Sequence, residues 1–101
     1  MSVQDPVLIF LASQFSSRGH PQLPLRIAKE KQSYVVGHER KRMDGSAFIE
    51  EACKLTFVKS SGVWKLFWKR ADLKWHLYDA NKSLEALVTE IKQDPRGCFW
   101  G

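Results

Sequence analysis

Among the residues of this 101-residue chain that could do chemistry, the usual metal ligands and nucleophiles are dispersed. His20, His38, His76, Cys53 and Cys98 show neither Cys-x-x-Cys nor His-x-x-x-His spacing, so no metal ligand set can be read from them. Nothing around Cys98 marks a thiol of lowered pKa. Glu50 and Glu51 are adjacent, which in an extended chain points them to opposite sides and unmakes a catalytic carboxylate pair. The six glycines are dispersed and form no phosphate loop, and no cofactor is expected. The exception is the span from Ala52 to Tyr78. It holds Lys54, Lys59, Lys65, Lys69, Arg70 and Lys74 against Asp72 alone, so it carries the whole formal net charge of +5. Such a field favours an anionic partner, a nucleic acid or an acidic protein. His76 near Lys65, Lys69 and Lys74 offers a base and cationic stabilisers of a kind suited to RNA cleavage. No nucleophile, base and orienting group can be named together, however, so binding is expected rather than catalysis.

These residues must be positioned by strands. "ACKLTFVK", "VWKLFWKR" and "LKWHLYD" alternate apolar and polar residues with short connections, the pattern of a three-stranded meander. A two-residue loop at Ser61-Gly62 opposes Leu55 to Trp68 and Phe57 to Leu66, and a second at Ala71-Asp72 opposes Trp68 to Trp75 and Leu66 to Leu77. In that register Cys53, Leu55, Phe57, Trp64, Leu66, Trp68, Trp75 and Leu77 form an apolar face, made of favourable cross-strand pairs. The other face carries Lys54, Thr56, Val58, Lys65, Phe67, Lys69, Lys74, His76 and Tyr78. Cations interleaved with flat rings suit a single-stranded nucleic acid, because lysines follow phosphates and rings stack on bases. The candidate site is therefore Lys54, Lys65, Phe67, Lys69, Lys74, His76 and Tyr78. A helix laid over Phe67 and Val58 would remove the platform and leave the lysine stems snorkelling around its edge.

Around the meander, residues 5–18 read as a helix, with Asp5 as N-cap, Pro6 in the first turn, and Leu8, Leu11, Ala12 and Phe15 on one face. Leu25–Glu30 and Ser33–Arg40 read as strands about a turn at Lys31-Gln32, although the first would also suit a short helix. Residues 46–51 are ambiguous. Leu84, Leu87, Val88 and Ile91 form the stripe of an amphipathic helix over 83–93, capped by Ser83 or Asn81 and ended by Pro95. The expected fold is α+β in a single domain over residues 1–101: an N-terminal helix, an antiparallel sheet of about five strands including the meander, and a C-terminal helix. At 44% hydrophobic residues the chain is apolar enough to build a core. Its longest apolar run, Val7 to Ala12, falls far short of the ~20 residues that span a bilayer, and it lacks a signal peptide's flanks. With two cysteines and no disulfide framework, a cytoplasmic protein with no membrane partner is expected.

Two stretches, "GVWKLFWKRADLKWHLY" at 62–78 and "DPRGCFWG" at 94–101, resemble an uncharacterised family of small bacterial proteins, a domain of unknown function. The resemblance implies a bacterial origin and one compact domain, and it carries no activity or site residues with it. Function is thus left between a binding module for single-stranded nucleic acid and a protein-interaction or assembly module. The latter would use a sheet edge or the terminal Phe99-Trp100.

Overall fold

The computed structural model describes residues 5–15, 25–97 and 99. Helix α1 (Pro6–Phe15) is followed by strands β1 (Leu25–Glu30), β2 (Ser33–Lys41), β3 (Ala47–Val58), β4 (Val63–Lys69) and β5 (Trp75–Asn81), then by helix α2 (Leu84–Gln93). The strands form one antiparallel sheet in chain order. Residues 47–51 of the ambiguous stretch belong to β3, which runs twelve residues. Leu25–Glu30 is strand rather than helix because it pairs residue for residue with Ser33–His38 across the Lys31-Gln32 turn. Of the expected first helix, residues 16–18 lie outside the described residues.

Both helices lie on one face of the sheet. Leu11 and Phe15 of α1, Tyr34 and Val36 of β2, Cys53 and Leu55 of β3, Leu66 of β4, and Leu87, Val88 and Ile91 of α2 form a single buried cluster. Phe99 joins it at 7% exposure, so this part of the tail tucks back into the core; Trp100 and Cys98 lie outside the described residues. Burial drives the Cys53 thiol pKa upward, which makes that sulfur a small core hydrophobe rather than a nucleophile.

Capping fixes where the helices begin. Asp5 Oδ1 accepts from Val7 N at 2.9 Å, and Ser83 Oγ accepts from Ala86 N at 3.3 Å. Asn81 supports the second cap by accepting from Ser83 N. Helix α2 ends at Asp94, whose left-handed backbone (φ 43°) lets its N–H reach Glu90 O. Asp5 also ties α1 to the sheet, since its Oδ2 accepts from Tyr34 Oη at 2.7 Å and pairs with Lys29 Nζ at 2.8 Å. The Lys29 ammonium, then the Tyr34 hydroxyl, hold the Asp5 carboxyl down at about 2. The same contact with Asp5 raises Lys29; burial, then Asp5, raises Tyr34.

The hairpin loops differ from the two-residue turns the sequence suggests, with unequal consequences. Between β3 and β4, Val58 pairs with Val63, so the loop is Lys59 to Gly62, four residues. Gly62 supplies the positive φ of 64°, and its N–H closes onto Val58 O. The pairing moves by two residues, to Leu55 opposite Leu66 and Cys53 opposite Trp68, and every side chain keeps its expected face. Between β4 and β5 the Arg70 N–H reaches Lys74 O, so the loop is Ala71, Asp72 and Leu73, three residues, with Leu73 left-handed at φ 62°. The pairing moves by one, and β5 turns over. Trp68 faces His76, Phe67 faces Leu77 and Lys69 faces Trp75. A bulge between Leu66 and Phe67 then places Leu66 opposite Asp79.

Candidate functional site

The second face of the sheet carries neither helix. One row crosses all five strands in register: Ala28, Val35, Lys54, Phe67 and Leu77. Beside it, Lys69 stands opposite Trp75, and on the far side Thr56 and Lys65 stand opposite each other. Lys54 Nζ lies 4.9 Å from the centre of the Phe67 ring and 5.2 Å from that of Trp75. Lys69 Nζ lies 5.2 Å from the same Trp75 ring and also pairs with Glu51. Two cations and two rings are thus interleaved, each ammonium held near a ring face by the quadrupole. Val35 is only 4% exposed on this face, whereas Leu77 at its margin is 56% exposed.

Gly37 lets β2 and β3 approach closely at the other end of the face. A Cβ there would sit 2.4 Å from Glu50 O and 2.8 Å from Ile49 Cγ2, so no side chain fits. The register shifts at the same point, between Val36 and Gly37, and Ala52 is the extra residue. That shift places Glu51 on the helix-free face, where it meets Lys69. Arg26 pairs with Glu39 at 3.4 Å. The face is therefore not uniformly basic: its charges are compensated near Gly37 and cationic toward Lys54 and Lys65.

Of the seven residues expected to form the site, Lys54, Lys65, Phe67 and Lys69 share this face. Lys74 sits in the exposed turn just before Trp75, its N–H donating to Asp72 Oδ1 at 2.9 Å. His76 and Tyr78 do not belong there, because the three-residue turn inverts β5. His76 instead lies opposite Trp68 on the helix-bearing side, with Nε2 2.9 Å from Asp72 Oδ2. Asp72 is lowered by the Lys74 backbone N–H first and by His76 next. Tyr78 donates to Glu90 Oε1 of α2 at 2.7 Å, and its ring lies 5.0 Å from that of Phe99. It anchors the C-terminal helix.

The residue that sequence reasoning missed is Trp75, together with Leu77. Both were expected in the core beside Trp68, and both stand on the opposite face. Trp64 and Trp68 do pack against the core. Only the turn length separates these outcomes, and Leu73 in a left-handed conformation advertises nothing, since glycine or asparagine is the usual sign. Among the described residues no group of three or more His, Cys, Asp or Glu side chains is gathered as a metal site would need, and no helix is long and apolar enough to cross a membrane.

A family model for the domain of unknown function DUF3024 matches residues 9–101. The chain belongs to this family. The match covers β1 to β5, α2 and most of α1, so the helix-free face and the helices behind it are both part of the DUF3024 domain. No curated protein and no solved structure matches the chain.

Proposed function

We propose that this DUF3024 domain is a non-enzymatic binding module that holds single-stranded nucleic acid, in the cytoplasm, on the helix-free face of its sheet. The observation that carries the reading is the cluster of Phe67 and Trp75 with Lys54 and Lys69 between and beside them. Rings at a spacing set by neighbouring strands offer stacking surfaces to successive bases, and ammonium groups set among them follow the phosphates. Lys65, exposed one row away, extends the cationic track. Trp75 takes the stacking role expected of His76 and Tyr78.

Binding of a fluorescent single-stranded oligonucleotide, followed by anisotropy against salt, tests this. Three phosphate contacts from Lys54, Lys65 and Lys69 give a slope of log K on log salt of roughly −2. Phe67→Ala and Trp75→Ala each weaken binding by about 1–3 kcal/mol, whereas His76→Ala leaves it unchanged. Absence of binding at low salt, or binding indifferent to Lys65→Glu with Lys69→Glu, defeats the proposal.

A second reading, an assembly module, draws support from one feature. Strand β5 is a sheet edge with Leu77 exposed beside Phe67, and an unpaired edge is a template for another strand. It predicts a concentration-dependent dimer in analytical ultracentrifugation that Leu77→Lys dissociates. A monomer at all concentrations removes it.

A further inference from the structure

A second cluster of rings and cations lies at the end of the sheet where the β1–β2 and β3–β4 loops meet, on the helix-bearing side. The two loops are joined there by Phe57 N donating to Gln32 O at 3.1 Å. Between them is a half-open cleft of about 280 Å³. Its aromatic lining is Tyr34, Phe57 and Trp64, with Trp64 at 5.1 Å from Phe57 and 6.1 Å from Tyr34 between ring centres. Its cations are Lys29, Lys31 and Lys59.

The three lysines are not equivalent. Lys29 is engaged by Asp5, which also holds the Tyr34 hydroxyl, so that side of the cleft is fixed in place and close to neutral. Lys31 and Lys59 are exposed at the two loops, and neither pairs with a carboxylate among the described residues. The cleft therefore offers a ring-lined floor, its Tyr34 and Trp64 rings already ordered by core packing, beneath two unspent positive charges. Its volume lies at the small end of ligand pockets, enough for one ring system with its substituents.

We propose that this cleft binds a nucleoside monophosphate unit, its base against Trp64 and Phe57 and its phosphate between Lys31 and Lys59. Aromatic faces supply the stacking surface, and two ammonium groups supply charge-assisted hydrogen bonds to a dianion. The unit is either a free mononucleotide or the 5′-phosphorylated end of a strand. The site does not rest on the sheet-face reading, because it lies on the other side of the sheet and uses other residues.

Isothermal titration calorimetry with adenosine 5′-monophosphate, adenosine and inorganic phosphate tests it. The monophosphate binds, and adenosine and phosphate alone bind at least tenfold more weakly. Lys31→Gln with Lys59→Gln weakens the monophosphate at least tenfold and leaves the circular dichroism spectrum unchanged, since both side chains are exposed. Trp64→Phe, which keeps a ring in the core, retains binding with a smaller loss. Phe67→Ala with Trp75→Ala on the sheet face has no effect on it. Competition by a 5′-phosphorylated oligonucleotide, but not by its 5′-hydroxyl counterpart, identifies a strand end as the source; failure of both to compete identifies the free mononucleotide. Absence of monophosphate binding at millimolar concentration overturns the proposal. So does equal affinity for inorganic phosphate, or affinity unchanged in the double lysine variant.

Discussion

The two faces of this sheet are built from alternate residues of the same strands, yet they use aromatic side chains in opposite ways. On the helix-bearing face, Tyr34, Trp64, Trp68 and Tyr78 pack against the buried cluster, Tyr34 and Trp64 lining the loop cleft as well, and the two tyrosine hydroxyls are spent on Asp5 and Glu90. On the other face, Phe67 and Trp75 meet lysine ammonium groups instead of helices. A cation is a poor substitute for apolar cover, because its strong hydration keeps water close. The contrast teaches that ring content alone does not separate core from binding surface in a small domain; what covers the ring does.

Chemical denaturation sharpens that contrast. Leu55→Ala, at a position with no exposure between both helices and the sheet, is expected to cost about 2–5 kcal/mol. Phe67→Ala, one strand over and on the helix-free side, is expected to cost less than ~2 kcal/mol. Equal costs would mean that Phe67 belongs to a covered core, which breaks the distinction. Next comes Gly37→Ala, where the new Cβ meets the Glu50 carbonyl; overpacking of this kind costs roughly 1–3 kcal/mol. Because Gly37 fixes the register shift that presents Glu51 to Lys69, the variant should also disturb the helix-free face more than the helix side, visible as larger amide shifts in β3 near Glu51 than in α2. Tyr78→Phe removes one hydrogen bond to α2 and is expected to cost about 1 kcal/mol, with no effect on oligonucleotide binding.

Acid and base act on the helix side through Asp5, Lys29 and Tyr34. The Asp5 carboxyl is lower in the folded chain, about 2, than its value near 3.9 when unfolded. Its contribution is therefore complete above about pH 4 and is lost as pH falls toward 2. Lys29 and Tyr34 are raised on folding, so their contribution is complete below about pH 10 and lost as pH rises through the folded values. Asp5→Asn should flatten the acid limb of stability against pH without abolishing it, because Asp44 and Asp72 are also lowered in the folded chain. An unchanged acid limb would show that Asp5 does not hold α1 to the sheet. The smallest effect is a gain: Leu73 is left-handed and 77% exposed, and Leu73→Gly should stabilise by roughly 0.5–1 kcal/mol while keeping the three-residue turn. If that variant instead restored a two-residue turn, Trp75 would rotate into the core and its fluorescence would shift to the blue.

Much of the fold was legible because local signals agreed. Asp5-Pro6 opened α1, Ser83 opened α2, and the alternation of Val, Trp, Leu and Phe marked the strands. The β3–β4 register was wrong by two residues and harmless, because side-chain direction has a period of two. The β4–β5 register was wrong by one residue, and that error moved four residues between faces: Trp75 and Leu77 outward, His76 and Tyr78 inward. Four of the seven candidate residues survive on the helix-free face because they belong to strands whose parity was right. The Lys31 and Lys59 cleft was not legible at all, since it needs two loops far apart in sequence to meet, and nothing in either loop announces the other.

Strand order in the sheet equals strand order in the chain, so each strand pairing closes only one hairpin. Pairings of this kind cost little loop-closure entropy and form on the microsecond scale when isolated. Among the described residues, the contacts that join the two ends of the chain are few, chiefly those between α1 and α2, such as Lys92 Nζ donating to Gln14 Oε1. Folding should accordingly begin within the β2–β4 hairpins and finish with the two terminal helices closing over them, giving high φ-values at Leu55 and Leu66 and low ones at Leu11. The order matters for solubility during synthesis. The half-formed domain would present a bare sheet whose face still awaits both helices, and Lys54 on β3 with Lys65 and Lys69 on β4 are what would keep that intermediate from adding strands of its neighbours.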